Sequence, residues 1–144
     1  MKILVINGPN LSRLDIRDSS IYGDLNYGEL VTLIETASKK YGFEADVRQS
    51  DDEATIIGWL HEATDHNLPV IINPAAFTHY SYAIRDAAEL VKSPVIEVHL
   101  SNPLAREEFR HTSVISGVAN GTIGGFGPNS YVLAIIALSN LVTK

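Results

Sequence analysis

A carboxylate and an imidazole two residues apart, Glu97 and His99, interrupt an otherwise apolar run over residues 95–100. The run is β-branched and follows Ser93-Pro94, so it is predicted to be a buried strand. Side chains alternate across a strand, which puts Val95, Glu97 and His99 on one face and Ile96, Val98 and Leu100 on the other. An ionisable pair inside a sheet is costly unless each group has a partner. A carboxylate that orients and charges an imidazole suits a general acid or base. A satisfied core hydrogen bond is the competing reading of the pair taken alone. Polar groups also stand at Asn7-Gly8-Pro9-Asn10, Asn73-Pro74 and Leu100-Ser101-Asn102. The stretch from Leu11 to about Asn26 adds Arg13, Arg17, Tyr22 and several aspartates. A guanidinium and a phenol on one loop can bring cationic and acid–base groups to a bound molecule, although a disordered surface loop is the alternative.

These groups work together only if a frame gathers them. Residues 3–6 read as a first strand. Leu30, Leu33, Ile34 and Ala37 fall at i, i+3, i+4 and i+7, which predicts an amphipathic helix ending near Gly42. Residues 43–48 form a second strand by position. Ile56, Trp59, Leu60 and Ala63 repeat the helical spacing, with Asp51 or Asp52 as N-cap. Residues 69–73 give a third strand, and 81–91 a third helix turning Ala83, Ala87 and Leu90 inward. A fourth strand at 94–100 is followed by a short helix through 105–109. A fifth strand at 122–126 and a closing helix at 128–141 complete the chain. Five β/α units in succession predict an α/β fold, a flavodoxin-like doubly wound five-stranded parallel sheet. Ligands bind such sheets beyond the carboxyl ends of the strands, where the polar groups above converge. The stretch at about 11–26 exceeds the usual connection of about two to six residues, and long loops over such an edge commonly act as lids. The expected organisation is a single catalytic domain, 1–144, with a lid at about 11–26.

Composition narrows the function classes. The absence of cysteine excludes disulfides, zinc–thiolate sites and thiol catalysis, and fits a reducing cytoplasm. A net charge of −6 argues against nonspecific nucleic-acid binding, which needs a basic face. An anionic small substrate stays compatible, because arginines can be gathered locally. No apolar stretch reaches membrane-spanning length, and the N-terminus enters a strand without a signal-peptide cleavage pattern. The expectation is a cytoplasmic protein with no nucleic-acid or membrane partner.

In order along the chain stand Asn7-Gly8-Pro9-Asn10-Leu11, Arg17, Ile21-Tyr22-Gly23, Gln49-Ser50, Ile72-Asn73-Pro74 and Thr78-His79. Ile84-Arg85-Asp86-Ala87, Ile96-Glu97-Val98-His99-Leu100-Ser101-Asn102, Ala105-Arg106-Glu107-Glu108-Phe109-Arg110-His111 and Gly125-Phe126-Gly127 follow. Together these segments resemble the type II 3-dehydroquinases, over almost the full length and at matching spacing. The resemblance implies anti elimination of water from 3-dehydroquinate through an enolate, giving 3-dehydroshikimate, with no cofactor and no metal. Such a step serves the shikimate pathway to aromatic amino acids, or quinate use. Tyr22 matches the family's base. A phenol ordinarily ionises near pH 10, a nearby cation favours its anion, and the resemblance gives that place to Arg17. Asn10, with an ordered water, corresponds to the group that stabilises the enolate. His99 corresponds to the acid that protonates the departing hydroxyl, with Glu97 holding its ring. Asn73, His79, Ser101 and the backbone at Leu100 would bind the substrate's hydroxyls and carboxylate, and Arg110 would offer a guanidinium fork. Asp86 is implied to reach a neighbouring subunit's site, in a homo-oligomer built of trimers and commonly a dodecamer.

The chain departs from the family pattern at several places. Asp15, Ala54 and Ala75 stand where glycine is common, and Asp51 stands where asparagine is. Phe77 replaces a frequent tyrosine, and Tyr80 a frequent threonine. None removes a group with a named chemical role, so lid kinetics and affinity are the properties they touch. The main alternative is a non-catalytic flavodoxin-like module for ligand binding or electron transfer. A flavin carrier should have a Ser/Thr-rich loop after its first strand, and a receiver-like module an acidic cluster there; Asn7-Gly8-Pro9-Asn10 is neither. Gly124, Gly125 and Gly127 come too late, with no following strand, to be a dinucleotide loop. His61, His66 and His111 lack ligand-like partners and read as surface or helix-end residues.

Overall fold

A computed structural model describes residues 1–142. Five strands form one sheet in the order β2-β1-β3-β4-β5, with every neighbouring pair parallel. They are β1 (Lys2–Asn7), β2 (Glu44–Gln49), β3 (Val70–Asn73), β4 (Val95–His99) and β5 (Gly121–Gly124). Strands β1, β3 and β4 are buried almost throughout, as expected of inner strands covered on both faces. The chain reverses its winding between β1 and β3, the switch point where ligands dock in such sheets.

Four helices supply the covers. The helices α2 (Tyr27–Lys40) and α5 (Asn129–Val142) share one core with Ile3, Val5, Ile96, Val98 and Leu100. The helices α3 (Glu53–His66) and α4 (Tyr82–Glu89) share the other with Leu4, Ile6, Val70, Ile72 and Val95. Alternation along each strand therefore feeds two separate apolar layers. Helix α2 starts with a capping box in which the Asn26 side chain accepts from the Glu29 N–H and the Glu29 carboxylate accepts from the Asn26 N–H. Asp52 caps α3 in the first half of that manner, accepting from the Thr55 N–H at 3.1 Å.

Three local expectations need correction. Helix α4 turns Ile84, Ala87 and Ala88 inward, whereas Ala83 is exposed and Leu90 is 55% exposed. The stripe begins at Ile84, one residue and about 100° from the predicted one, and Leu90 lies beyond the last turn. No helix runs through 105–109; two 3₁₀ turns, Pro103–Ala105 and Glu108–His111, flank Arg106, whose backbone is extended. The fifth strand ends at Gly124, because Gly125 takes a φ of 95° that leaves the sheet.

The segment at 11–26 is locally ordered. It holds a kinked 3₁₀ stretch, Leu11–Ile16, and the four-residue helix α1 (Ser19–Tyr22). Asp18 caps α1 by accepting from the N–H and hydroxyl of Ser20 at 3.0 and 2.7 Å. Leu11, Leu14 and Tyr22 are buried in the α2/α5 core. Gly23 has a φ of 91°, and a Cβ there would come within 2.9 Å of Pro128 Cδ. Three apolar anchors and that close approach fix the segment against the start of α5.

Candidate active site

The floor of the site lies where β1 and β3 end. The Gly8 N–H donates to the Asn73 carbonyl at 2.8 Å, and a Cβ on Gly8 would fall 2.7 Å from the Pro74 carbonyl oxygen. Only glycine lets the two strand ends approach this closely. Asn10 is left-handed, with a φ of 70°, a conformation asparagine tolerates better than most residues. Its N–H donates to Asp51 Oδ1 at 2.9 Å, and Gln49 Nε2 donates to the same oxygen and to the Gly8 carbonyl. The departure at Asp51 thus supplies an acceptor that holds Asn10 in place. Beneath these loops, Tyr131 of α5 donates its hydroxyl to Asn7 Oδ1 at 2.6 Å and accepts from Asn73 Nδ2 at 3.0 Å. Tyr131 is wholly buried, and burial pushes its phenol well above the ordinary value, so it stays a neutral donor. Asn73 Oδ1 accepts from the Ala75 N–H, which leaves the second hydrogen of Nδ2 for a ligand.

Strand β4 forms one wall. His99 Nε2 lies 2.5 Å from Glu97 Oε2. A hydrogen is shared between Nε2 and Oε2, so Nδ1 is the ring nitrogen left over. Glu97 is 1% exposed, and its other oxygen accepts from Ser113 and Ser116 hydroxyls, each at 2.9 Å. The expected pair is therefore joined by two further partners from the loop before β5.

Above the floor, the Arg17 guanidinium carbon lies 3.6 Å from the centre of the Tyr22 ring, and that of Arg106 lies 5.1 Å away. Burial pushes the Arg17 guanidinium below its ordinary value, the charge of Tyr22 opposes that, and Arg106 and Arg110 add to the lowering. Arg106 Nη1 also donates to Ser101 Oγ at 3.3 Å. Arg110 is held by an ion pair with Glu107. His79 stands edge-on to Phe109 and binds the Thr112 carbonyl through Nδ1 at 2.8 Å, which leaves Nε2 free to face a ligand.

These elements line a cleft that opens to solvent. Asn10, Arg17, Tyr22, Asn73, His79, His99, Leu100, Ser101 and Arg110 all line it, and Glu97 stands behind His99. Asp86 does not. It sits on α4 with a side chain 75% exposed, beside Arg85. Arg106 lines the cleft and received no role from the sequence, although it lies within a quoted segment. Three guanidinium groups and no lysine line the cleft among the described residues. Within those residues no group of three or more His, Cys, Asp or Glu could hold a metal ion, and no helix is long and apolar enough to cross a membrane.

A family model described as dehydroquinase class II matches residues 1–139. The chain belongs to the class II dehydroquinases. A 3-dehydroquinate dehydratase from Halalkalibacterium halodurans is 53% identical over 136 residues, 94% of either chain. One from Salinispora tropica is 50% identical over 135 residues, again 94% of either. Among solved structures, a type II dehydroquinase from Propionibacterium acnes superposes with a TM-score of 0.94 at 47% identity, covering 96% of both chains. That from Butyrivibrio crossotus gives 0.92 at 50%, covering 96% of this chain and 97% of its own. The five-stranded parallel sheet in the order 2-1-3-4-5 is thus that of a class II dehydroquinase.

Proposed function

We propose that the protein dehydrates 3-dehydroquinate to 3-dehydroshikimate as a hydro-lyase, without cofactor or metal, and that Tyr22 and His99 divide the proton transfers. The observation that carries this is the pairing, across one cleft, of a phenol under two guanidinium groups with an imidazole backed by a buried carboxylate. The phenol must carry negative charge to act as a base, and Arg17 and Arg106 are the cations that stand over its ring. Tyr22 takes the proton from the carbon next to the ketone, and the electron pair moves onto the ketone oxygen. Asn10 is the donor placed for that enolate. The carbonyl then re-forms, the new carbon–carbon double bond closes, and the C–O bond breaks. His99 delivers a proton from Nδ1, so the hydroxyl leaves as water.

Asn73, His79, Ser101, Arg110 and the backbone at Leu100 hold the substrate, with Arg110 and the other guanidinium groups favouring its carboxylate. The chain acts as one catalytic domain, and its segment at 11–26, anchored through Leu11, Leu14 and Tyr22, is the active-site lid. Asp86, being solvent-facing, reaches the cleft of a neighbouring subunit in a trimer, and four trimers assemble into a dodecamer in the cytoplasm. The same elimination serves aromatic amino acid biosynthesis or quinate breakdown. The class II match does not favour the electron-carrier alternative.

The test is direct. Purified protein given 3-dehydroquinate, with chelator present and no nucleotide, is expected to produce a rise in enone absorbance. No rise, with an active enzyme control responding, would overturn the function.

A further inference from the structure

We propose that Ser113 and Ser116 are positioning residues that keep Glu97 anionic, so that the proton of the Glu97–His99 pair resides on the imidazole. The inference rests on the dehydration reading for its purpose, but its geometry stands alone. A buried carboxylate 2.5 Å from an imidazole nitrogen can hold the shared proton on either partner, and burial in apolar surroundings favours the neutral pair. Nδ1 is a far stronger acid in the imidazolium than in the neutral ring, and Nε2 stays bound to Glu97 as that proton leaves. Something must therefore bias the pair toward charge separation.

The two hydroxyls supply that bias because their hydrogens have one direction to point. Ser113 Oγ already accepts from the Ile115 N–H at 3.1 Å and the Ser116 N–H at 3.0 Å. Its lone pairs are used, and its hydrogen must go to Glu97 Oε1. Ser116 Oγ accepts from Thr122 Oγ1 at 3.1 Å and likewise donates to Oε1. Thr122 stands opposite Glu97 in the β4–β5 register, so the sheet itself places the outer link. Hydrogen bonds to the charged form of a carboxylate favour that form. Oε1 is thereby filled by donors and Oε2 is aimed at His99. The other titratable or charged groups facing this pair are Arg17, Tyr22, Arg106 and Arg110 on the cleft side, His79, and His111 in the cavity behind. None of them hydrogen-bonds to Glu97.

The test combines Ser116→Ala, Ser113→Ala and the double variant with infrared spectra of unliganded protein carrying carbon-13 glutamate. Ser116→Ala breaks no backbone contact, whereas Ser113→Ala also removes two, so the first is informative even if the second folds poorly. A protonated-carboxyl band is expected in the double variant at neutral pH, absent from the native protein and lost when Glu97→Gln is added. With substrate, kcat is expected to fall at least about tenfold with KM within about twofold. The acid limb of the kcat profile should move to higher pH as the two donors to Glu97 are removed. Ser113→Thr, which keeps the donor, should restore the native limb. No new band and an unmoved limb in variants that fold would overturn the proposal. The spectrum needs no substrate, so its failure is distinct from a failure of the native protein to dehydrate 3-dehydroquinate.

Discussion

Arg17 is pulled two ways by its surroundings. Burial lowers its proton affinity while the charge of Tyr22 raises it, and a guanidinium keeps its charge through such opposition because its ordinary pKa is above about 12. A planar cation whose central carbon stands 3.6 Å from the ring centre is also a group lysine cannot supply. Tyr22→Phe and Arg17→Ala are expected to lower kcat by about 10²–10⁴ with much smaller changes in KM. Near-normal turnover in both would remove Tyr22 and Arg17 from the mechanism. Arg17→Lys should fall closer to the alanine variant than to the native protein. Since no lysine lines the cleft among the described residues, borohydride with substrate is expected to leave activity intact. Covalent trapping on Lys39, Lys40 or any other lysine would contradict the account. Ala75 offers a stability test at the same scale. It holds a φ of 53°, which costs a non-glycine residue about 1–2 kcal/mol, while glycine costs about 0.4–1 kcal/mol through the unfolded chain. Ala75→Gly should therefore raise the thermal midpoint by a degree or a few, and a clear fall would show the strain argument wrong.

Between elements, the polar staple of Tyr131 joins α5 to the ends of β1 and β3. Tyr131→Phe would leave Asn7 Oδ1 and Asn73 Nδ2 buried with one partner fewer, a loss of about 1–3 kcal/mol readable in denaturant titration. Because Asn73 lines the cleft, KM should rise as well; an unchanged KM and midpoint would count against the staple. On the edge strand β2, Arg48 bridges Asp46 at 2.7 Å and Glu62 of α3 at 2.6 Å. Arg48, through its hydrogen bonds, holds both carboxyls below their ordinary values. A depressed carboxyl stabilises the fold above its unfolded pKa, about 4, and that help disappears as pH falls through the folded value. Arg48→Met should therefore flatten the loss of stability below about pH 4, and an identical acid slope would deny the bridge a part in it.

The inner strands β1, β3 and β4 were legible in the sequence because they are continuous apolar runs, and the helices α2 and α3 because their stripes repeat at helical spacing. Asn7, Asn73 and His99 could be placed at one sheet edge because each ends a strand of a parallel sheet. Ser113 and Ser116 could not, since they lie in an irregular loop whose partner is distant in sequence. Tyr131 could not either, because its hydroxyl meets Asn7 and Asn73 from far along the chain. The anchoring of 11–26 escaped notice because Leu11, Leu14 and Tyr22 follow no regular period.

For the molecule as a whole, a net charge of −6 coexists with a cleft holding Arg17, Arg106 and Arg110. Attraction of a substrate carboxylate to that cluster should weaken with salt, so KM is expected to rise between low and high ionic strength while kcat changes little. A salt-independent KM would contradict it. The mass in solution bears on the trimeric building block: a monomer at assay concentration would leave Asp86 without a neighbouring cleft to reach. The most direct test of the whole account uses 3-dehydroquinate carrying deuterium at one of the two hydrogens beside the ketone. Mass spectrometry of the 3-dehydroshikimate should show the label lost when it stood anti to the departing hydroxyl and kept when it stood syn. Loss of the syn label would contradict a base and an acid acting from Tyr22 and His99 in an anti elimination.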